Sequence, residues 1–123
     1  MKDFCIIGSG ISGATIANAL SKKYSLDVYD KARGVGGRSS NKKLNKNESF
    51  DHGAQYISPK SIQFKRFIKN LIAKKVVKKW IGKHLFLNTD KKKDKKHIKI
   101  IGKKGNNAIS KYLLKNIDCN FNN

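Results

Sequence analysis

Apolar residues recur along the chain in two spacings, and the alternation between the spacings outlines an architecture. Phe4-Cys5-Ile6-Ile7 is a short continuous apolar run that stops at a glycine, the pattern of a buried strand. Ala14-Thr15-Ile16-Ala17-Asn18-Ala19-Leu20 is small and apolar and turns polar at Ser21-Lys22-Lys23, which predicts a helix. Leu26-Asp27-Val28-Tyr29 alternates and ends on Asp30, which predicts a second strand. Strand, helix and strand in the first thirty or so residues place the chain in the α/β class.

The pattern continues less regularly. Ser39 to Ser49 is polar, with Lys42, Lys43 and Lys46 among asparagines, and reads as an exposed loop. Phe50 to Ile57 reads as a short strand or extended segment. Ser58-Pro59 is a helix start, a hydroxyl cap followed by proline at the first helical position. Phe64, Phe67, Ile68, Leu71 and Ile72 then fall at helical spacing with lysines opposite, an amphipathic helix whose aromatic stripe belongs to the core. Val76–Ile81 and His84–Leu87 are strand-like around a glycine turn and are expected to pair as a hairpin, with Trp80 as packing. Thr89–Lys96 is a charge run expected to be a solvated loop tip. His97–Ile101 resumes a strand, Ala108, Ile109, Tyr112, Leu113 and Ile117 share a helical face, and residues 118–123 begin another strand.

The turn between the first strand and helix is Gly8-Ser9-Gly10-Ile11-Ser12-Gly13. Here G-x-G-x-x-G has the strand, helix, second strand and terminal acid that a dinucleotide-binding fingerprint requires. Gly8 allows the tight turn, Gly10 lets backbone approach a pyrophosphate, and Gly13 lets the helix pack on the strands. The positive end of the helix then faces the phosphates. Asp30 would accept from a ribose diol and disfavours a 2′-phosphate, so the expected ligand has a plain adenosine end, FAD or NAD rather than NADP.

A second glycine turn, Lys31-Ala32-Arg33-Gly34-Val35-Gly36-Gly37-Arg38, follows the acid without a break. Gly36-Gly37 would admit the cofactor close to the backbone, and Arg33 or Arg38 could neutralise its phosphates. Phe50-Asp51-His52-Gly53-Ala54-Gln55-Tyr56 stands further on. Together these resemble FAD-dependent oxidoreductases of the amine-oxidase type, and specifically the renalase-like branch, in which a G-G-R turn and a D-x-G-A-Q-Y segment follow the acid. Phe64-Lys65-Arg66-Phe67 and Trp80 extend the resemblance, and Gly102-Lys103-Lys104-Gly105-Asn106-Asn107-Ala108-Ile109 is similar to a later G-x-x-G-M-x-x-L turn, with Asn106 where methionine is usual.

The resemblance implies FAD as cofactor and a binding set of Gly8, Gly10, Ser12, Gly13, Asp30, Lys31, Arg33, Gly36, Gly37, Arg38, Ala54, Gln55 and Tyr56. In it the glycine turn holds the pyrophosphate, Asp30 the ribose and Arg38 the phosphates or flavin side, while Gln55 and Tyr56 lie near the isoalloxazine ring. It implies a Rossmann-like FAD-binding segment over residues 1–58, the start of a substrate domain over 59–98, and a return to the FAD-binding domain over 99–123. The implied activity is hydride transfer from an amine-like or dihydronicotinamide substrate to flavin, with catalytic residues unassigned. Family members are much longer, so the chain is expected to be an N-terminal portion, inactive by itself, marginally stable and a weak binder of FAD at best.

Charge changes the picture of partners rather than of fold. The 123 residues carry 28 Lys+Arg against 8 Asp+Glu, a formal net charge of +20. Such a balance raises a polyanion as partner and a non-catalytic nucleotide- or polyanion-binding fragment as the alternative. Only Arg33, Arg38 and Arg66 are arginine, however, and neither arginines nor aromatics cluster as base-reading surfaces require. The abundance of lysine, asparagine and isoleucine is what an A+T-rich coding sequence produces, and no specific nucleic-acid partner is expected. The expected partner is a small-molecule substrate.

Cys5 and Cys119 form no zinc spacing or disulfide framework, which fits a reducing cytoplasm, and Cys5 is expected in the core. His52, His84 and His97 lack ligand spacing, so no metal site is expected. Asp51 and His52 are neighbours on an extended segment, point to opposite faces and make a poor acid–base pair. No apolar run reaches the ~18 residues of a membrane span.

Overall fold

A computed structural model describes residues 1–82 and 98–122. Its elements are β1 (Phe4–Ile7), α1 (Ile11–Leu20), β2 (Leu26–Asp30), a 3₁₀ turn (Gly37–Ser39), β3 (Asn41–Lys43), β4 (Ser49–Asp51), α2 (Ile62–Ala73), β5 (Val77–Lys79), β6 (Ile100–Gly102), α3 (Ala108–Leu113) and β7 (Cys119–Phe121). The expected α/β architecture is present: β1, β2 and β7 form a parallel sheet in the order β1-β2-β7. The register sets Ile6 beside Val28 and Val28 beside Cys119. Strands so joined need crossovers, which α1 and the long excursion to α3 supply.

The central strand is the buried one, with Leu26 and Val28 in the core. Helix α1 packs against the sheet and α3 through Ala14 and Ala17, both fully buried and small enough for close approach. Asn18 Nδ2 donates to the Leu113 carbonyl at 2.9 Å and fastens the two helices. The same core continues through Ile68 and Leu71 of α2 to Val77 of β5 and Ile100 of β6, which pair antiparallel.

Three expectations change. Cys5 is exposed, not a core residue. Strand β1 is at the edge of the sheet, and Ile6 faces Gly13 of α1, so Cys5 and Ile7 alternate onto the face turned away from the helix. Ile7 is 80% exposed.

The expected loop 39–49 is a hairpin. β3 and β4 pair from Asn41 with Asp51 to Lys43 with Ser49. Its turn is closed by Asn45, whose Oδ1 accepts the Asn47 and Glu48 amides at 2.9 and 2.8 Å. Asparagine supplies the turn with a local side-chain acceptor, and its composition therefore disguised paired structure as loop.

Helix α2 is capped by Ser61, whose Oγ accepts the Phe64 amide at 3.2 Å, and not by Ser58. Ile57 exchanges backbone hydrogen bonds with Ile100, and Pro59 holds the preceding residue extended, which delays the helix. Finally, the described partner of β5 is β6; the expected partner 84–87, the charge run 89–96 and His97 lie outside the described residues.

Candidate functional site

The turn after β1 is shaped by its glycines. Gly8 has φ +100°, a conformation that side chains resist. Gly10 caps α1 without a side-chain hydrogen bond, so the first amides of the helix remain directed outward from its end. Gly13 sits in the first helical turn, where a Cβ would run into the Gly8 carbonyl oxygen. Open space at Gly8, free helix-end amides and a turn that only glycine can close fit a pyrophosphate.

Asp30, at the end of β2, is bound to this turn. Its Oδ2 accepts the Ser9 amide at 2.7 Å and the Ser9 hydroxyl at 2.5 Å, and its Oδ1 accepts the Ala32 amide at 2.9 Å. Partial burial opposes its charge. The Ser9 hydroxyl, the Ala32 and Ser9 amides and the Lys31 ammonium outweigh burial and hold its carboxyl below the ordinary aspartate value. Asp30 is thus ionised and oriented. Ser9, fully buried, was missed in the sequence as a site residue. The available signal was a hydroxyl inside the G-x-G turn with an acid ending the next strand.

The second glycine turn lies directly on the first. The Gly36 amide donates to the Ser9 carbonyl at 3.2 Å, and Gly10 and Gly36 form a parallel bridge. A Cβ at Gly37 would approach Gly10 Cα to 3.2 Å, and one at Gly36 would meet Asn107 at 2.8 Å. Asn107 Nδ2 donates to the Val35 carbonyl at 3.2 Å and anchors the turn from α3's side.

The 51–56 segment joins through Arg38. Its carbonyl accepts the Ala54 amide at 2.8 Å, and a Cβ on Gly53 would strike that same carbonyl oxygen. Asp51 Oδ1 accepts from Asn41 Nδ2 at 3.1 Å and from the Asn106 amide at 2.8 Å, while His52 Nε2 meets Ser40 Oγ at 2.9 Å. These adjacent residues serve separate partners.

A cleft of about 580 Å³ results, lined by both glycine turns, Ser12, Arg38 and Ala54, with Ile7, Ile11, Ile57, Phe64 and Ile109 as apolar wall. A second hollow of about 440 Å³, formed by Tyr29, Asp30 and Lys31, shares Ile7 and Gly8 with it. The two meet at the glycine turn. Of the residues predicted from sequence, Gly8, Gly10, Ser12, Gly13, Gly36, Gly37, Arg38 and Ala54 line the wide cleft, and Asp30 and Lys31 the smaller hollow. Arg33, Gln55 and Tyr56 line neither; Tyr56 faces Trp80, ring centroids 5.9 Å apart, beneath Lys99 Nζ at 5.0 Å. Phe64, assigned to the core, is half-buried and forms cleft wall. Among the described residues no group of three or more His, Cys, Asp or Glu could hold a metal, and no helix is long and apolar enough to cross a membrane.

The family model described as "NAD(P)-binding Rossmann-like domain" matches residues 6–71, more than half of the chain. The chain belongs to this family. The match runs from β1 through both glycine turns to α2, the segment that builds most of the cleft. FAD, the cofactor expected from the sequence, agrees with this Rossmann-like assignment.

Prenylcysteine oxidase 1 from Bos taurus is 36% identical over 70 residues, covering 54% of this chain and 13% of the relative. Among solved structures, wild-type putrescine oxidase bound to putrescine matches at 28% identity and TM-score 0.49, over 64% of this chain and 17% of that one. A double mutant of putrescine oxidase, from a redesign of its cofactor binding, matches at 29% and the same TM-score of 0.49, with the same coverage. The chain therefore spans less than a fifth of the length of these proteins.

Proposed function

We propose that this chain is the N-terminal FAD-binding portion of a flavin-dependent oxidoreductase, one that takes a hydride from an amine-like or dihydronicotinamide substrate, as the renalase-like resemblance implies. The observation that carries the reading is the seating of the Gly36-Gly37 turn on Gly10. It extends the dinucleotide cradle from the Asp30 hollow into a second, wider and mostly apolar cleft. Such a groove suits a ligand with a polar adenosine end and a large flat ring at the other. The relative named as an oxidase supports the reaction class.

In this reading Asp30 accepts from the ribose diol, the first amides of α1 meet the pyrophosphate, and Arg38 at the cleft wall balances phosphate charge. Ala54, Phe64 and Ile57 exclude water from the ring's surroundings. When bound, FAD supplies the ring that accepts the hydride; the chain's residues bind and orient. Neither Gln55 nor Tyr56 lines the cleft, so in this reading Ala54 carries that segment's contact with the ring. Residues 1–58 and 99–123 belong to the FAD-binding part and 59–98 begin the substrate-binding part.

The test is titration of FAD, NAD and NADP against the purified chain, followed by flavin fluorescence and calorimetry. FAD is expected to bind most tightly and NADP least, with no substrate-dependent peroxide from this chain alone. NAD binding without FAD binding would replace the reading by a nicotinamide-dependent one. The reading includes a cytoplasmic location and no specific nucleic-acid partner. Binding to duplex DNA is expected to be sequence-independent and to fall steeply with salt.

A further inference from the structure

Among the described residues, Asn106 is a polar side chain of the cleft wall that is at once fully buried and fully used. It is 1% exposed. Its Nδ2 donates to the Ala54 carbonyl at 2.6 Å and to the Gln55 carbonyl at 3.1 Å, and its Oδ1 accepts the Gly102 amide at 2.9 Å. Its own amide donates to Asp51 Oδ1 at 2.8 Å. One residue therefore joins the end of β4, the 54–55 segment and the end of β6.

We propose that Asn106 is a positioning residue for the flavin end of the cleft, setting the Ala54–Gln55 backbone at the height that the ring requires; this rests on the FAD-binding reading above. Ala54 is held from both sides, its amide by the Arg38 carbonyl and its carbonyl by Asn106 Nδ2. Arg38, Ala54 and Asn106 all line the wide cleft, and none lines the Asp30 hollow. A purely structural fastener could sit anywhere in the core. This one fixes the backbone of a lining residue and reaches the cleft itself.

The geometry also separates the two ends of the ligand. The adenosine end rests on Ser9 and Asp30, which share no hydrogen bond with Asn106. ADP thus reports on the glycine turn and Asp30 hollow alone, whereas FAD reports on both ends. A leucine at position 106 has similar bulk but leaves two carbonyls and one amide without their partner.

The experiment compares equilibrium affinities for FAD and ADP in the wild-type chain, Asn106→Leu and Asn106→Ser, with circular dichroism as the check of folding. The serine variant admits water and keeps the fold where leucine does not. FAD affinity is expected to fall about tenfold or more in both variants, while ADP affinity stays within about twofold. The visible spectrum of bound flavin is expected to shift as the ring's surroundings loosen. Equal losses for both ligands would make Asn106 a fold support only, and unchanged FAD affinity would remove it from the site.

Amide exchange on the wild-type chain tests the same claim without a substitution. FAD, but not ADP, is expected to slow exchange at Ala54 and Gly102; equal protection by both would overturn the proposal. A wild-type chain that binds ADP but gains nothing from the flavin half also overturns it. One that binds neither ligand instead defeats the FAD-binding reading itself.

Discussion

The two halves of the cleft are held together by different means. Around the first glycine turn, backbone meets backbone: Gly13 against the Gly8 carbonyl, Gly37 against Gly10, Gly36 bridged to Gly10. Around Asn106 the joints are side-chain hydrogen bonds to loops more than fifty residues away. The first arrangement tolerates no added atom at Gly13, because the Gly8 backbone there cannot swing aside as a side chain can. The second tolerates no lost donor, because a buried carbonyl without a partner costs about 1–3 kcal/mol. The glycine-turn half is thus sensitive to added atoms, and the Asn106 half to lost donors and, at Gly53, to an added atom as well.

Substitutions can break this contrast, beginning with the largest expected effect. Gly13→Val drives a branched side chain into the Gly8 carbonyl and is expected to destabilise the chain by about 3 kcal/mol, at the upper end for overpacking. A fall in the urea midpoint, with loss of ADP binding, checks it. Gly53→Ala places the same kind of collision in the other half, against the Arg38 carbonyl, and about 2 kcal/mol is expected there. If FAD affinity falls and ADP affinity holds, the two halves are separable; if both fall together, the contrast fails.

Asp30→Ala removes the proposed ribose acceptor and the tie to Ser9, and about 1–3 kcal/mol of FAD binding is expected to disappear. ADP should lose as much, since both ligands share that end; calorimetry with each ligand decides. Ser61→Ala is the control outside both halves. It deletes the cap of α2 and should cost about 1 kcal/mol of stability in urea denaturation with little change in either affinity.

The smallest effect sharpens the electrostatics of the first half. Asp30 titrates below its ordinary value of 3.8, so its contribution is complete above that pH and is lost as pH falls through the lower folded-state value. Ser9→Ala removes the strongest of the groups holding the value down and leaves burial, which pushes it up. The loss should then begin at higher pH, read directly by an NMR titration of the Asp30 carboxyl. An unchanged titration would show that the Ser9 hydroxyl does not orient the acid.

The first half was largely legible. Gly8, Gly10, Gly13 and Asp30 stand in one local strand–turn–helix–strand unit, and the chain's own covalent spacing brings them together. The Gly36-Gly37-Arg38 turn was equally visible. Ser9 was missed because its role appears only when Asp30 arrives across the sheet. In the other half, Asn106 read as a departure from an expected methionine, since nothing in sequence joins it to residues 51–55. Composition misled at 39–49, where asparagine and lysine form a hairpin.

The sequence by itself determined the α/β class, the dinucleotide turn and the acid that ends the second strand, because each rests on contacts within one local unit. Only the tertiary structure decided which face of β1 is covered, where α2 begins, and what holds Ala54 and Gln55. Those depend on strand order, on the Ile57–Ile100 pairing and on the return of Asn106 from the far end of the described chain. Burial and hydrogen-bond satisfaction belong to the assembled surfaces, and residues distant in sequence acquire their roles only when the chain brings those surfaces together.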